Sequence, residues 1–269
     1  MSTPFLLPGS AKSEHQHRLD LCVAGRWMYE REYIVACEGN LSVRLDEERV
    51  LTTPTCMNKG MLSPEDLVII DPEGRHVAGD RKASSELAMH LLFYRMRPDV
   101  HAICHAHPPT ATGFAVAGRA LDQALLPEVI VGLGQIPLVK YGTPGTPELS
   151  AAIEPYVPHY DALLLANHGA VTCGPDLITA FFRMETIEHF AKITLAAEMA
   201  GTPTLLSSRE VAKLIAARTR YFVVPPPGGG ADLPLTCDGG DTAGDRVRLT
   251  RGELDALIDE AVRKDRSRR

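Results

Sequence analysis

The sequence predicts a layered α/β or α+β fold in one main domain, and three observations carry that prediction. Short strand-like runs alternate with segments of helical apolar spacing from about residue 13 to residue 222. The 269 residues are 45% hydrophobic and 23% charged, a balance that lets a chain of this length bury a sizeable core. After Tyr221-Phe222 the composition turns abruptly to Pro and Gly, which sets the end of the packed part.

The elements follow in order. Residues 13–36 are rich in helix formers, with Leu19, Cys22, Val23, Trp27 and Ile34 at helical spacing. Glu38-Gly39-Asn40 breaks that pattern, and Leu41–Leu45 alternates like a half-buried strand, with Val50–Thr53 as its return. Leu67–Ile70 is a third strand, closed by the turn Asp71-Pro72-Glu73-Gly74. A helix opens at Ser84-Ser85-Glu86, runs through Met89, Leu92, Phe93 and Met96, and stops before Pro98. Residues 100–107 return to strand, 110–118 form a short helix, and apolar strands lie near 136–140 and 162–166. A long helix at about 176–200 and another at 207–219 complete the domain, residues 1–222. Residues 223–245 have the composition of a flexible linker. Residues 246–269 then hold an amphipathic helix, with Thr250 and Glu253 as a capping box and Leu254, Leu257, Ile258, Ala261 and Val262 on one face.

Charge narrows the function classes. With 34 acidic against 28 basic side chains the net charge is -6, which argues against nucleic acid, whose binding rests on clustered Lys and Arg. The basic run at 263–269 reads as a solvated tail. No apolar stretch reaches the roughly 18 residues of a membrane span, and the first residues lack the basic start and apolar core of a secretory signal, so a cytoplasmic chain without a membrane partner is expected. The six cysteines are scattered and never spaced C-x-x-C, as free thiols in a reducing compartment would be.

Candidate chemistry gathers in three places. In His105-Ala106-His107 an extended backbone points both rings to one face, where they could share a metal ion; a pair of unconnected strand histidines is the alternative. His168, in Asn167-His168-Gly169, ends a buried apolar run where α/β folds hold ligands, although a turn histidine without a role has the same sequence. Together these are three imidazoles, the number of protein ligands in a catalytic zinc site that keeps one position open. His15, His17, His76, His90, His159 and His189 read as surface residues. The third place is a set of phosphate-sized turns: Gly39-Asn40-Leu41-Ser42, Thr53-Pro54-Thr55-Cys56 and Ser84-Ser85-Glu86. A helix start offers free N–H groups to an anion, while a plain N-cap or tight turn explains each turn singly. Glu86 would stand beside any phosphate and metal collected there, as a base on a metal-bound substrate does.

Taken together, Gly39-Asn40-Leu41-Ser42, Thr53-Pro54-Thr55, Ser84-Ser85-Glu86, His105-Ala106-His107 and Asn167-His168-Gly169 occur in the order and approximate spacing of the class II aldolase/adducin family. The resemblance spans roughly residues 15–222 and rests on five separated motifs. It implies a three-layer α/β/α sandwich around a mainly antiparallel sheet, followed here by the linker and amphipathic helix. It implies one Zn2+ per subunit, a phosphorylated sugar substrate and a cyclic homotetramer with sites at subunit boundaries. His105, His107 and His168 match the family's zinc ligands, and Glu86 its acid/base glutamate. Asn40, Thr55, Ser84 and Ser85 match its phosphate-binding positions.

The chain departs from the aldolases at three points. Cys56 stands where they have a glycine whose amide helps bind phosphate. Leu125-Leu126-Pro127-Glu128 replaces a loop that carries a tyrosine in the aldolases and an aspartate in the related epimerase. Tyr221 matches the aldolases' proton donor to the aldehyde oxygen, or it is an aromatic that anchors the last segment to the core. The activity implied is reversible aldol cleavage of a ketose 1-phosphate, such as L-fuculose 1-phosphate, to dihydroxyacetone phosphate and a short aldehyde. An epimerase, a decarboxylase or a dehydratase on the same scaffold is the alternative, as is a non-catalytic adducin-like module. The terminal helix resembles peptides that recruit enzymes to the shell proteins of bacterial microcompartments; docking on its own tetramer, or a disordered end, is the other reading.

Overall fold

Residues 12–221, 223–229 and 235–237 are described by the computed structural model. The strands are β1 (Asn40–Arg44), β2 (Val50–Thr52), β3 (Val68–Ile70), β4 (His76–Ala78), β5 (Ala102–Ala106), β6 (Leu138–Val139), β7 (Ala162–Leu165) and β8 (Gly169–Gly174). They form one sheet in the order β4-β3-β2-β1-β5-β8-β7-β6. Every neighbouring pair is antiparallel except β6 with β7.

The helices are α1 (Glu14–Glu30), α2 (Leu87–Met96), α3 (Pro109–Val116), α4 (Pro127–Gly132), α5 (Pro147–Ile153), α6 (Leu177–Ala200) and α7 (Ser208–Ala217). Two apolar cores separate them into layers. On one face Leu21 and Met28 of α1, Phe114 of α3 and Phe181 and Met184 of α6 pack against Leu41, Val43, Ala102, Cys104, Ala106 and Leu164. On the other, Met89 and Phe93 of α2 and Leu149 and Ile153 of α5 pack against Ile103, Leu163 and Val171. The period of two along each strand is therefore visible in which core each side chain joins. The architecture is the expected α/β/α sandwich.

Local chemistry fixes the helix starts. Ser13 accepts from Gln16 N, Asp176 accepts from Thr179 N at 2.7 Å, and Ser207 and Glu210 cap α7 reciprocally. Four expectations shift. The first helix ends at Glu30, not 36, because Glu32 and Ala36 turn left-handed and Tyr33 N bonds back to Met28 O at 2.9 Å. The helix expected from Ser84 begins at Leu87, with Glu86 at its N-cap. Strand β8 and the short helices α4 and α5 were not expected. The stretch expected as a flexible linker, 223–245, also lies partly on the domain: Gly228 N donates to Pro158 O at 2.9 Å, and Leu235 is buried with Ile130, Val211 and Ile215. The expected C-terminal helix, 246–269, lies outside the described residues. Among the described residues no helix is long and apolar enough to cross a membrane.

Candidate metal centre and active site

The site grows from the middle of the sheet. Register pairs Asn40 with His105 across β1 and β5, so both side chains leave the same face. Alternation sends Cys104 to the opposite core, beside Met28. His107 follows the end of β5 and shares the His105 face, as the H-x-H spacing predicted. His168 arrives from the turn joining β7 and β8, in which Asn167 takes a left-handed conformation (φ 55°) and His168 N bonds to Leu165 O at 3.0 Å. Gly169 makes this close approach possible. A Cβ there would stand 2.5 Å from both Ala106 O and His107 Cδ2.

The three rings converge, with centroids 4.8–5.1 Å apart and ligand atoms all within 4.8 Å of one another. His105 is fully buried, and its Nδ1 donates to Ala170 O at 2.9 Å, which leaves Nε2 as the free lone pair. His107 turns Nδ1 toward Glu38 Oε2 at 3.2 Å and lies Nε2 to Nε2 with His105 at 3.3 Å. Glu86 meets the cluster through both oxygens, Oε2 at 3.2 Å from His105 Nε2 and Oε1 at 3.0 Å from His168 Nε2. A tetrahedron built on bonds of about 2.0 Å to zinc has edges of about 3.3 Å. Donor spacing, donor type and the available lone pairs therefore fit a divalent transition metal.

The cluster also sets the charge state of its members. Burial opposes the Glu86 charge, but His105 and His168 outweigh it and hold the carboxyl well below the usual range, so Glu86 is a carboxylate. Burial, with His105 and His168 as neighbours, pushes His107 down to about 3, keeping it in the neutral form that ligates metals. For His105 burial acts downward, yet the Glu86 charge prevails and raises it.

The phosphate-sized turns are brought to the same end of the sheet. A bridge between Pro54 and Ala83, and the bond from Thr55 N to Lys82 O at 3.0 Å, lay the Thr55-Cys56 turn alongside Ser84-Ser85. Cys56 is exposed and left-handed (φ 56°), so it keeps the backbone of a glycine position while adding a side chain. Ser84 Oγ accepts from Glu86 N at 3.2 Å, fixing the start of α2. Asn40 is buried, and its Nδ2 donates to Glu86 Oε2 at 2.9 Å, which places it on the acid/base side of the site. Tyr221 lies in a 3-10 turn at the surface and is 65% exposed, so the alternative of a core anchor fails.

Sequence reasoning missed three neighbours, Glu38, Lys59 and His90. Glu38 holds His107; its position directly before Gly39-Asn40 was the available signal. Lys59 is 2% exposed, donates to Cys37 O at 2.5 Å, and thereby supports the loop that carries Glu38. Burial lowers its pKa, against the nearby thiols and carboxylates. His90 and Ser42 are buried beneath Glu86, so the expectation of a surface His90 is corrected. Its spacing of four from Glu86 on one helix face was the overlooked cue.

The fold is thus an α/β/α sandwich in which the end of β5, the β7–β8 turn and the start of α2 bring three imidazoles and a carboxylate together, a donor set that could hold a metal ion. The model of the class II aldolase and adducin N-terminal domain matches residues 19–195, and the chain belongs to that family. It is 38% identical over 174 residues to 3-oxo-tetronate 4-phosphate decarboxylase of Haemophilus influenzae, covering 63% of this chain and 82% of that one. It is 37% identical over 166 residues to L-fuculose phosphate aldolase of Methanococcus vannielii, covering 62% and 88%. Among solved structures, an L-fuculose 1-phosphate aldolase superposes with a TM-score of 0.70 at 31% identity, covering 77% of this chain and 98% of that one.

Proposed function

We propose that the chain is a metal-dependent lyase acting on short sugar phosphates in which a ketone adjoins a phosphorylated CH2 group. The reading followed is aldol cleavage of a ketose 1-phosphate, such as L-fuculose 1-phosphate, to dihydroxyacetone phosphate and a short aldehyde. It rests on one observation above all: the Glu86 carboxylate stands within 3.2 Å of two of three convergent imidazoles and is steered by Asn40.

His105, His107 and His168 would hold a divalent cation, zinc in this reading, which would supply positive charge where negative charge develops on the substrate oxygens. Glu86 handles the proton at the carbon that becomes the hydroxymethyl group, delivering it in cleavage and removing it in synthesis. Asn40 holds the carboxylate in reach of that carbon. Thr55, Ser84, Ser85 and the Cys56 N–H bind the phosphate at the start of α2. Tyr221 serves the aldehyde oxygen, and the assembly is a homotetramer.

Decarboxylation of a 3-oxo sugar acid 4-phosphate is a second reading, and the absence of a tyrosine from the Leu125-Leu126-Pro127-Glu128 loop favours it. Such a substrate presents the same phosphorylated half, and its loss of CO2 develops negative charge on the same oxygens. Because CO2 departs without a hydroxyl proton to remove, neither a proton donor like Tyr221 nor a tyrosine in the loop at 125–128 is needed. The relative at 38% identity carries that activity in its name.

One assay separates the readings. Metal-loaded enzyme is given L-fuculose 1-phosphate and 3-oxo-tetronate 4-phosphate in turn, with aldehyde, CO2 and dihydroxyacetone phosphate measured. Aldehyde release supports aldol cleavage, and CO2 release supports the second reading. His107→Ala should lose metal and turnover together, whereas Glu86→Gln should keep the metal and lose turnover by about 100-fold or more. A metal-loaded chain inert on both substrates sinks the proposal.

A further inference from the structure

The polar chain beneath Glu86 is unused by the mechanism above. Glu86, His90 and Tyr94 are four residues apart on one side of α2 and its N-cap, facing β1. Asn40 and Ser42 alternate onto that face of β1. Ser42 Oγ lies 2.7 Å from His90 Nδ1 and 2.7 Å from Tyr94 OH, and all three residues are buried.

The acceptors available give this chain a direction: reversed, with His90 Nδ1–H donating to Ser42 and Ser42 to Tyr94, the phenol proton would have no acceptor among the described residues. The Ser42 hydroxyl has one proton and the Tyr94 phenol another. With the phenol donating to Ser42, and Ser42 donating to His90 Nδ1, the single proton of the neutral imidazole falls on Nε2. Nε2 is then a buried donor without a protein partner. On the facing strand Asn40 Oδ1 is a buried acceptor without a protein partner. Groups buried in this way are rarely left unpaired, and one water with two such partners satisfies both. The other end of the Asn40 amide donates to Glu86 Oε2 at 2.9 Å. Turned the other way, that amide would set its carbonyl oxygen against a carboxylate.

We propose that His90 is a positioning residue for Glu86: Tyr94, Ser42 and His90 form a directed relay whose Nε2–H, through one water, holds Asn40 Oδ1. The Asn40 N–H is thereby aimed at the carboxylate. The role given to Glu86 rests on the proposed lyase reading, but the direction of the relay does not.

The test uses the full metal-loaded chain. Nitrogen NMR of 15N-histidine protein should show His90 neutral with its proton on Nε2, and S42A should release that preference into a mixture of tautomers. In kinetics, H90F should lower kcat about tenfold with KM within twofold and metal content unchanged. The double variant H90F/N40A should be no slower than N40A alone, because both changes cut one relay. If H90F does not fold, S42A takes its place in the same cycle, with about a threefold loss of kcat expected. A His90 proton on Nδ1 overturns the proposal, as do effects that multiply in the double variant. If the wild type binds metal but cleaves no substrate, the lyase reading fails and the tautomer measurement alone decides the relay.

Discussion

Glu38 Oε2 lies 3.2 Å from His107 Nδ1, while the Nε2 of the same ring faces His105. One nitrogen is thus held from behind by a carboxylate and the other is presented to the cluster. Such a partner fixes the tautomer and raises the basicity of a ligating imidazole. His107 is the most exposed of the three rings, so this restraint matters most there. Glu38→Gln should weaken metal binding by about tenfold to hundredfold. Competition with a chelator measures this directly, and unchanged affinity would assign Glu38 to the surface.

Gly169 should tolerate no side chain. Alanine would place its Cβ 2.5 Å from the Ala106 carbonyl and 2.5 Å from the His107 ring, on two strands that cannot easily part. Gly169→Ala is expected to cost about 1–3 kcal/mol by overpacking and to weaken metal binding through the displaced ring. Urea unfolding and a metal titration check the two effects separately.

Cys56 invites the opposite change. Its φ of 56° suits glycine, and its side chain stands in the turn assigned to phosphate. Cys56→Gly removes left-handed strain of about 1 kcal/mol while adding unfolded-state freedom of similar size. Stability should therefore move little. KM for the phosphorylated substrate should fall as the pocket widens, a result that steady-state kinetics would show.

Acid should act through His90. Burial pushes its pKa down to about 3 in the folded chain, whereas unfolded histidine titrates near 6.5. Between those values the unfolded state binds a proton that the folded state refuses, so stability falls as pH drops below about 6.5 and is whole above it. Full coupling corresponds to about 1.4 kcal/mol per pH unit. Denaturant unfolding of the metal-free chain at pH 7, 6 and 5 should show a steeper loss for the wild type than for His90→Phe.

The sequence revealed the chemistry better than its support. His105 and His107 were legible because a period of two is enough to align them. His168 was legible because it ends an apolar run before a glycine. The long α6 announced itself through its length. By contrast β8, Gly-Ala-Val-Thr-Cys-Gly, reads as a loop. Its small residues are strand only because β5 and β7 pair with both its edges. Ser84 looks like the helix start, but its hydroxyl accepts from the Glu86 amide two residues on. Lys59 is illegible because it acquires its role from Cys37, 22 positions away, and no local periodicity encodes that partner; Glu38 and His90 leave only the faint cues of adjacency to Asn40 and of helical spacing from Glu86.

The order β1-β5-β8 has a consequence for how the chain reaches its native state. The bonds that aim the site's groups join residues 46, 65 and 69 positions apart: Asn40 to Glu86, His105 to Ala170 and Glu38 to His107. Only the His105-Ala106-His107 segment is local, and two imidazoles grip a cation far more weakly than three. For a chain that takes a divalent cation at these rings, tight capture is therefore a late event that waits for the sheet to close. Once made, it draws the equilibrium toward the finished topology and spares half-assembled chains.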